Sequence, residues 1–206
     1  AGPRRYGGLT MRGFPFISSF LLLAAIILYS CQEDYAPKPR GYFRITLPEK
    51  QYTAFDSTFP YSFEYPEYAY LTPDPFAPEE PYWLNIEFPE FKGRIHLSYK
   101  AVDGNLVEYL EDSRQFVMKH IPKASAIDDS LLLDRERKIY GLVYDIQGMG
   151  AASPCQFFLT DSIKHFVRGA LYFDVVPNND SLAPVISFIR SDIEYMLNSF
   201  EWKEDF

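Results

Sequence analysis

Seven prolines fall between residues 60 and 89 (Pro60, Pro66, Pro73, Pro75, Pro78, Pro81 and Pro89), interleaved with Tyr, Phe and Trp83. Proline lacks a backbone donor and locks φ, so this stretch excludes helix and a central strand. Residues 51–91 therefore read as an edge strand plus extended loops. Loops this rich in rings do not sit freely in water. Either they wrap the domain's own core, or part of them meets a protein or glycan. Phe76, Tyr82 and Trp83 are the candidate partner contacts, provided they are exposed, because aromatic anchors carry much of the energy at interfaces.

From Trp83 onward the pattern becomes regular. WLNIEF and RIHLSYK alternate, with Leu84, Ile86, Phe88, Ile95, Leu97 and Tyr99 inward and PEFKG as the turn between them. Asp103 to Ile121 has helical spacing (Leu106, Leu110, Val117, Ile121), with Asp103 or Asn105 near the cap and Pro122 as the stop. Lys138 to Gln147, CQFFLTD and HFVRGALYFDVV read as three strands, the last apolar on both faces and so central. Ser181 to Phe200 holds a 3.6-residue period through Val185, Ile189, Ile193 and Met196. Asp180 or Ser181 is its expected cap, and Pro184 is expected in its first turn. Strands joined by short turns imply an antiparallel sheet, and two amphipathic helices must cover it. The expected class is α+β, a sandwich that resembles the fold of PsbP and Mog1 proteins. Fold analogy of that kind carries no function.

The other strong constraint lies at the N-terminus. Phe14 to Leu28 is apolar, follows Arg12, and is too short to cross a hydrocarbon core of about 30 Å comfortably. A charged start and a short apolar run describe a secretory signal. Leu28-Tyr29-Ser30-Cys31 then resembles the lipobox of bacterial lipoproteins, in which the cysteine is acylated and becomes the first mature residue. Residues 1–30 are thus expected as a signal peptide, with 1–10 an upstream extension before Met11. Residues 31–50 are expected as a lipidated tether from Cys31, and 51–206 as a single α+β domain. Multiple acyl chains make such an anchor effectively permanent.

The full chain carries 20 basic and 28 acidic residues, and without residues 1–30 the balance is 17 against 28. That argues against a nucleic-acid partner bound through its phosphates. Chemistry-bearing patterns are sparse. No phosphate loop is present, and GMGAAS lacks the Lys-Ser/Thr ending. His96, His120 and His165 stand far apart, so no metal is expected, and no cofactor either. Asp161, Ser162 and His165, with Ser153 or Cys155 upstream, could be sketched as a triad, but TDSIK reads as a hairpin turn without a nucleophile elbow. Asp128-Asp129 and Glu79-Glu80 read as solvated loop charge. Cys155, left alone once Cys31 carries lipid, reads as a small buried hydrophobe. No catalytic residue is expected, and the protein is read as a non-enzyme.

Five of fourteen Asp residues precede Ser. Four of them continue as an Asp-Ser-small-or-aliphatic pattern, which resembles the O-glycosylation sequon of exported Bacteroidetes proteins. Ser57, Ser130, Ser162 and Ser181 are therefore candidate O-glycosylation sites, all expected at turns or caps.

The segment AASPCQFFLTDSIKHFVRGALYF (151–173) is similar to a stretch of the gliding-motility lipoprotein GldD family of Bacteroidetes. So are KPRGYFRITLP (38–48), PYSFEY (60–65), WLNIEFP (83–89) and IHLSYK (95–100). The resemblance covers Cys31 to about Trp202. It implies an outer-membrane lipoprotein required for gliding and type IX secretion, acting with other gliding lipoproteins and envelope proteins and without assigned catalysis. Of the two faces of that membrane, the periplasmic one is expected over the cell surface. Gln32-Glu33-Asp34, however, resembles acidic surface-export signals. A non-enzymatic assembly or stabilising factor leads among the functional readings. A glycan- or peptidoglycan-binding module is the alternative, and a hydrolase with a site built from distant residues comes last.

Overall fold

A computed structural model describes Gly2 and residues 45–203. The signal segment, Cys31 and most of the tether lie outside the described residues. All elements below belong to one compact unit, Tyr42–Phe206.

Among the described residues, ten strands form two antiparallel sheets. The small sheet contains β1 (Tyr52–Phe55), β2 (Tyr61–Pro66) and β10 (Glu201–Trp202), with β2 in the middle. The large sheet has the order β3-β4-β5-β9-β8-β7-β6. Its strands are β3 (Tyr70–Pro73), β4 (Leu84–Phe88), β5 (Gly93–Ala101), β6 (Ala126–Asp134), β7 (Ile139–Gln147), β8 (Cys155–Thr160) and β9 (His165–Phe173). Two α-helices complete the described chain: α1 (Leu106–Met118) and α2 (Asn179–Ser199). The α+β class is what the element pattern implied.

Strand alternation assigns the layers. Ile95, Leu97 and Tyr99 of β5 join Cys155, Phe157 and Leu159 of β8 and Val167 and Leu171 of β9 in one cluster. Val185, Ile189, Ile193, Met196 and Leu197 of α2, with Tyr61 and Phe63 of β2, close over them. The opposite face of the large sheet carries α1, where Val117 meets Ile146 and Ala151. All six residues of β8 are buried, and β9 lies between β5 and β8, the central place its two apolar faces implied.

Several local expectations are corrected. Residues 51–91 hold three strands besides β4, not one edge strand with loops. The prolines permit this by standing at strand ends: Pro60 precedes β2, while Pro66 and Pro73 are the last residues of β2 and β3. Most of the rings there pack on the core, including Phe55, Phe59, Tyr65 and Tyr68. Asp128 and Asp129 lie in β6 rather than in a loop. As an edge strand β6 has no buried face to impose a clear period on its sequence. Helix α1 is shorter than expected and buries only Ser113 and Val117, with Ile121 exposed beyond its end. Helix α2 starts two residues early: Asn178, not Asp180 or Ser181, is the cap, its side chain accepting from Ser181 N–H. That shift moves Pro184 into the second turn.

One close approach fixes the centre of the sheet. A Cβ at Gly169 would fall 2.0 Å from the Phe157 ring, so only glycine lets that ring lie over β9.

Candidate functional site

The three expected partner contacts do not form one surface. Phe76 is 85% exposed. Tyr82 and Trp83 are half-buried and pack against the core, and the Trp83 indole N–H donates to the Tyr99 carbonyl at 2.7 Å. The ring-rich segment is mainly a wall of the core, because its strands carry their aromatics inward.

Ser57, Ser130, Ser162 and Ser181 are all exposed. Ser57 and Ser162 stand in bends and Ser181 in the first turn of α2, as expected. Ser130 instead lies within β6.

The triad residues have other occupations. The Asp161 carboxylate accepts from the N–H groups of Ile163, Lys164 and His165 at 2.8–3.0 Å, closing the β8–β9 turn. Burial works against its charge, yet these bonds win and hold its pKa below the usual carboxylate value. Ser162 faces solvent with φ of 71°, a turn conformation. His165 is buried. Its Nδ1 shares a hydrogen bond of 2.9 Å with the Tyr99 hydroxyl, and its ring stacks on Trp202. Cys155 is fully buried, and desolvation pushes its thiol up to about 12, so it is an inert apolar side chain as expected. Among the described residues, no group of three or more His, Cys, Asp or Glu could hold a metal ion.

The structure draws together other residues. A cleft of about 520 Å³ opens between α1 and the large sheet. Its floor is the face of β5 and β9 turned away from the main core, where His96, Ser98 and Lys100 alternate with the buried Ile95, Leu97 and Tyr99, and where Arg168 pairs with Ser98. Its α1 wall presents Tyr109, Asp112, Ser113 and Phe116. The Arg168 guanidinium lies over the Phe116 ring, 4.5 Å from its centroid, and donates to the Gln156 side chain at 2.6 Å. Gln156 in turn shares a 2.9 Å hydrogen bond with His120 Nε2, so a polar chain runs His120–Gln156–Arg168. Burial holds the imidazoles of His96 and His120 below their ordinary pKa. Two polar side chains on this side are buried and unpartnered among the described residues: the hydroxyl of Ser113, a residue of the cleft wall, and the Asn85 amide, whose residue is opposite His96 in the β4–β5 register.

A second feature is the β6 edge. This nine-residue strand ends the large sheet and contains no proline. Leu131 and Leu133 are 67% and 59% exposed. They share the α1-side face with half-buried Leu142 and Tyr140, their β7 partners.

Sequence reasoning missed both features. Arg168 had a visible signal, as the lone charge inside an otherwise apolar central strand. Leu131 and Leu133 had none, because Leu-Leu-Leu in AIDDSLLLD does not reveal which members face water.

A family model described as "Gliding motility lipoprotein GldD" matches residues 32–202. Among curated proteins none matches the chain. Of solved structures, the solution structure of cyanobacterial PsbP (CyanoP) from Synechocystis sp. PCC 6803 is similar at a TM-score of 0.47 and 10% identity, covering 82% of this chain and all of that one. Among the described residues no helix is long and apolar enough to cross a membrane.

Proposed function

Because the chain belongs to the gliding motility lipoprotein GldD family, we propose that it is a lipid-anchored, non-enzymatic assembly factor of the envelope machinery for gliding and type IX secretion. In this reading Cys31 fixes it to the outer membrane, on the periplasmic face, where envelope-assembly partners reside. The folded domain works by docking another envelope protein.

The observation that supports docking most is the β6 edge. An edge strand offers unpaired backbone N–H and C=O groups, and a partner segment can add to the sheet through them. Leu131 and Leu133 supply an apolar contact beside that edge. Asp128 and Asp129 on the same strand give the surface an acidic character, which repels a second copy of β6 and favours a partner strand with Lys or Arg. The partner is accordingly an extended basic segment of another gliding or secretion envelope protein.

Two experiments test the parts separately. Cys31→Ala should shift the protein from the membrane to the soluble fraction; membrane retention with the apolar segment removed would refute the anchor. A photo-crosslinking amino acid at Leu131, in living cells, should yield one adduct with an envelope protein, identified by mass spectrometry. Adducts from position Phe76 with none from Leu131 would return the docking role to the aromatic segment.

A further inference from the structure

We propose that the cleft between α1 and the large sheet binds an acidic sugar unit, a ring bearing one carboxylate and several hydroxyls, with Arg168 receiving the carboxylate. This goes beyond docking at β6 and rests on different residues.

Charge bookkeeping selects a single negative group. Two basic side chains line the cleft besides His96. Lys100 is already held by Glu80 at 2.5 Å and lies over the Trp83 ring. Arg168 has no carboxylate within ion-pair distance among the described residues. Its contacts are neutral: Gln156, the Phe116 ring and the Tyr172 hydroxyl. A partly desolvated guanidinium with free donors matches a carboxylate bidentately.

The remaining lining selects hydroxyls and a flat apolar body. Asp74 and Asp112 also face the cleft. A doubly charged phosphate would be repelled by both, whereas sugar hydroxyls donate to them. Asp74 already accepts from Phe76 N–H at 2.9 Å, and Asp112 is exposed, so neither is poised as a strong ammonium partner for an amino acid. Ser113 Oγ is the decisive group. Its residue is only 4% exposed and is among those lining the cleft, and the hydroxyl, itself buried, has no hydrogen-bond partner among the described residues. A hydroxyl left unpaired in a folded interior is a standing cost, and a ligand hydroxyl in the cleft removes it. Trp83 and Tyr109, both half-buried, add ring surfaces against which the C–H face of a sugar packs. The volume is within the usual range for small-molecule sites.

The test uses the full lipidated chain in detergent, with glucuronic acid and N-acetylmuramic acid as probes and glucose, N-acetylglucosamine, glucose 6-phosphate and phenylalanine as controls. Binding is read by calorimetry and by Trp fluorescence, since Trp83 lines the cleft. The acidic sugars should bind about tenfold more tightly than the neutral ones, and Arg168→Met should erase that preference. Ser113→Ala should weaken the acidic sugars by about threefold while the melting temperature holds or rises, a combination that a purely structural serine would not give. If Arg168→Met fails to fold, Ser113→Ala carries the test alone. Equal binding of acidic and neutral sugars, absence of binding, or a preference for phenylalanine or the phosphate overturns the proposal. So does a normally melting Arg168→Met protein that still prefers the acids. The Leu131 crosslink is scored independently, so a failed cleft and a failed docking edge are distinguishable.

Discussion

Lys50, two residues before β1, reaches Asp192 in the middle of α2, with 2.7 Å between Nζ and Oδ1 and a carboxylate side chain that is 1% exposed. Tyr52 donates to the same oxygen at 2.9 Å, and Tyr68 donates to Oδ2. The chain at the start of β1 is thus clamped to the helix that covers the core.

Removing the acceptor should be costly. Asp192→Ala leaves two tyrosine hydroxyls and an ammonium without their shared partner, and a broken buried pair typically costs about 3–5 kcal/mol. Lys50→Ala should cost less, about 1–3 kcal/mol, because the buried carboxylate loses its cation but keeps both tyrosine bonds. Urea unfolding of the two variants measures the difference. Equal losses would mean that Asp192 is not the hub.

Gly169→Ala should destabilise by about 1–3 kcal/mol or more, since the added methyl meets the Phe157 ring in the most tightly buried part of the sheet. Pairing Gly169→Ala with Phe157→Leu should recover part of the loss. A double variant worse than the sum of the two single changes would contradict this packing.

Much of this architecture was legible in the sequence, because burial imposes a period. The β4 and β5 inward sets and the apolar stripe of α2 follow from alternation at 2.0 and 3.6 residues. Where burial is weak, the period vanishes. Strand β6 is exposed along most of its length, and its Asp-Asp pair reads as loop. Prolines misled in residues 51–91 because a proline at a strand end and a proline in a loop look alike in sequence. The cleft was illegible for a different reason: Ser113, Arg168 and His96 are far apart in the chain, and only the β5–β9 register and the placement of α1 bring them together.

Stability should fall between pH 7.5 and 5.5. Burial holds His96, His120 and His165 below the ordinary imidazole pKa, so the unfolded chain binds more protons in this window than the folded one. Their neutral forms therefore support the fold fully above the unfolded value of about 6.5, and that support drains away as pH falls toward the folded values. The lowered carboxylate of Asp161 acts only at more acid pH and does not confuse the reading. Urea midpoints at pH 7.5 and 5.5 measure the slope, and His165→Gln should flatten it. A midpoint that rises on acidification would contradict the neutral, buried assignment.

Gliding is proposed to depend on the β6 edge of this lipoprotein-family domain. The most direct measurement replaces the native protein with the Leu131→Asp/Leu133→Asp double variant and scores cell gliding alongside protein abundance, membrane localisation and protease resistance. Both side chains are exposed, so the fold should persist with a stability change within about 0.5 kcal/mol. The expected result is normal abundance, membrane attachment and resistance, with gliding lost. Full gliding by cells carrying that well-folded, membrane-attached variant would contradict it.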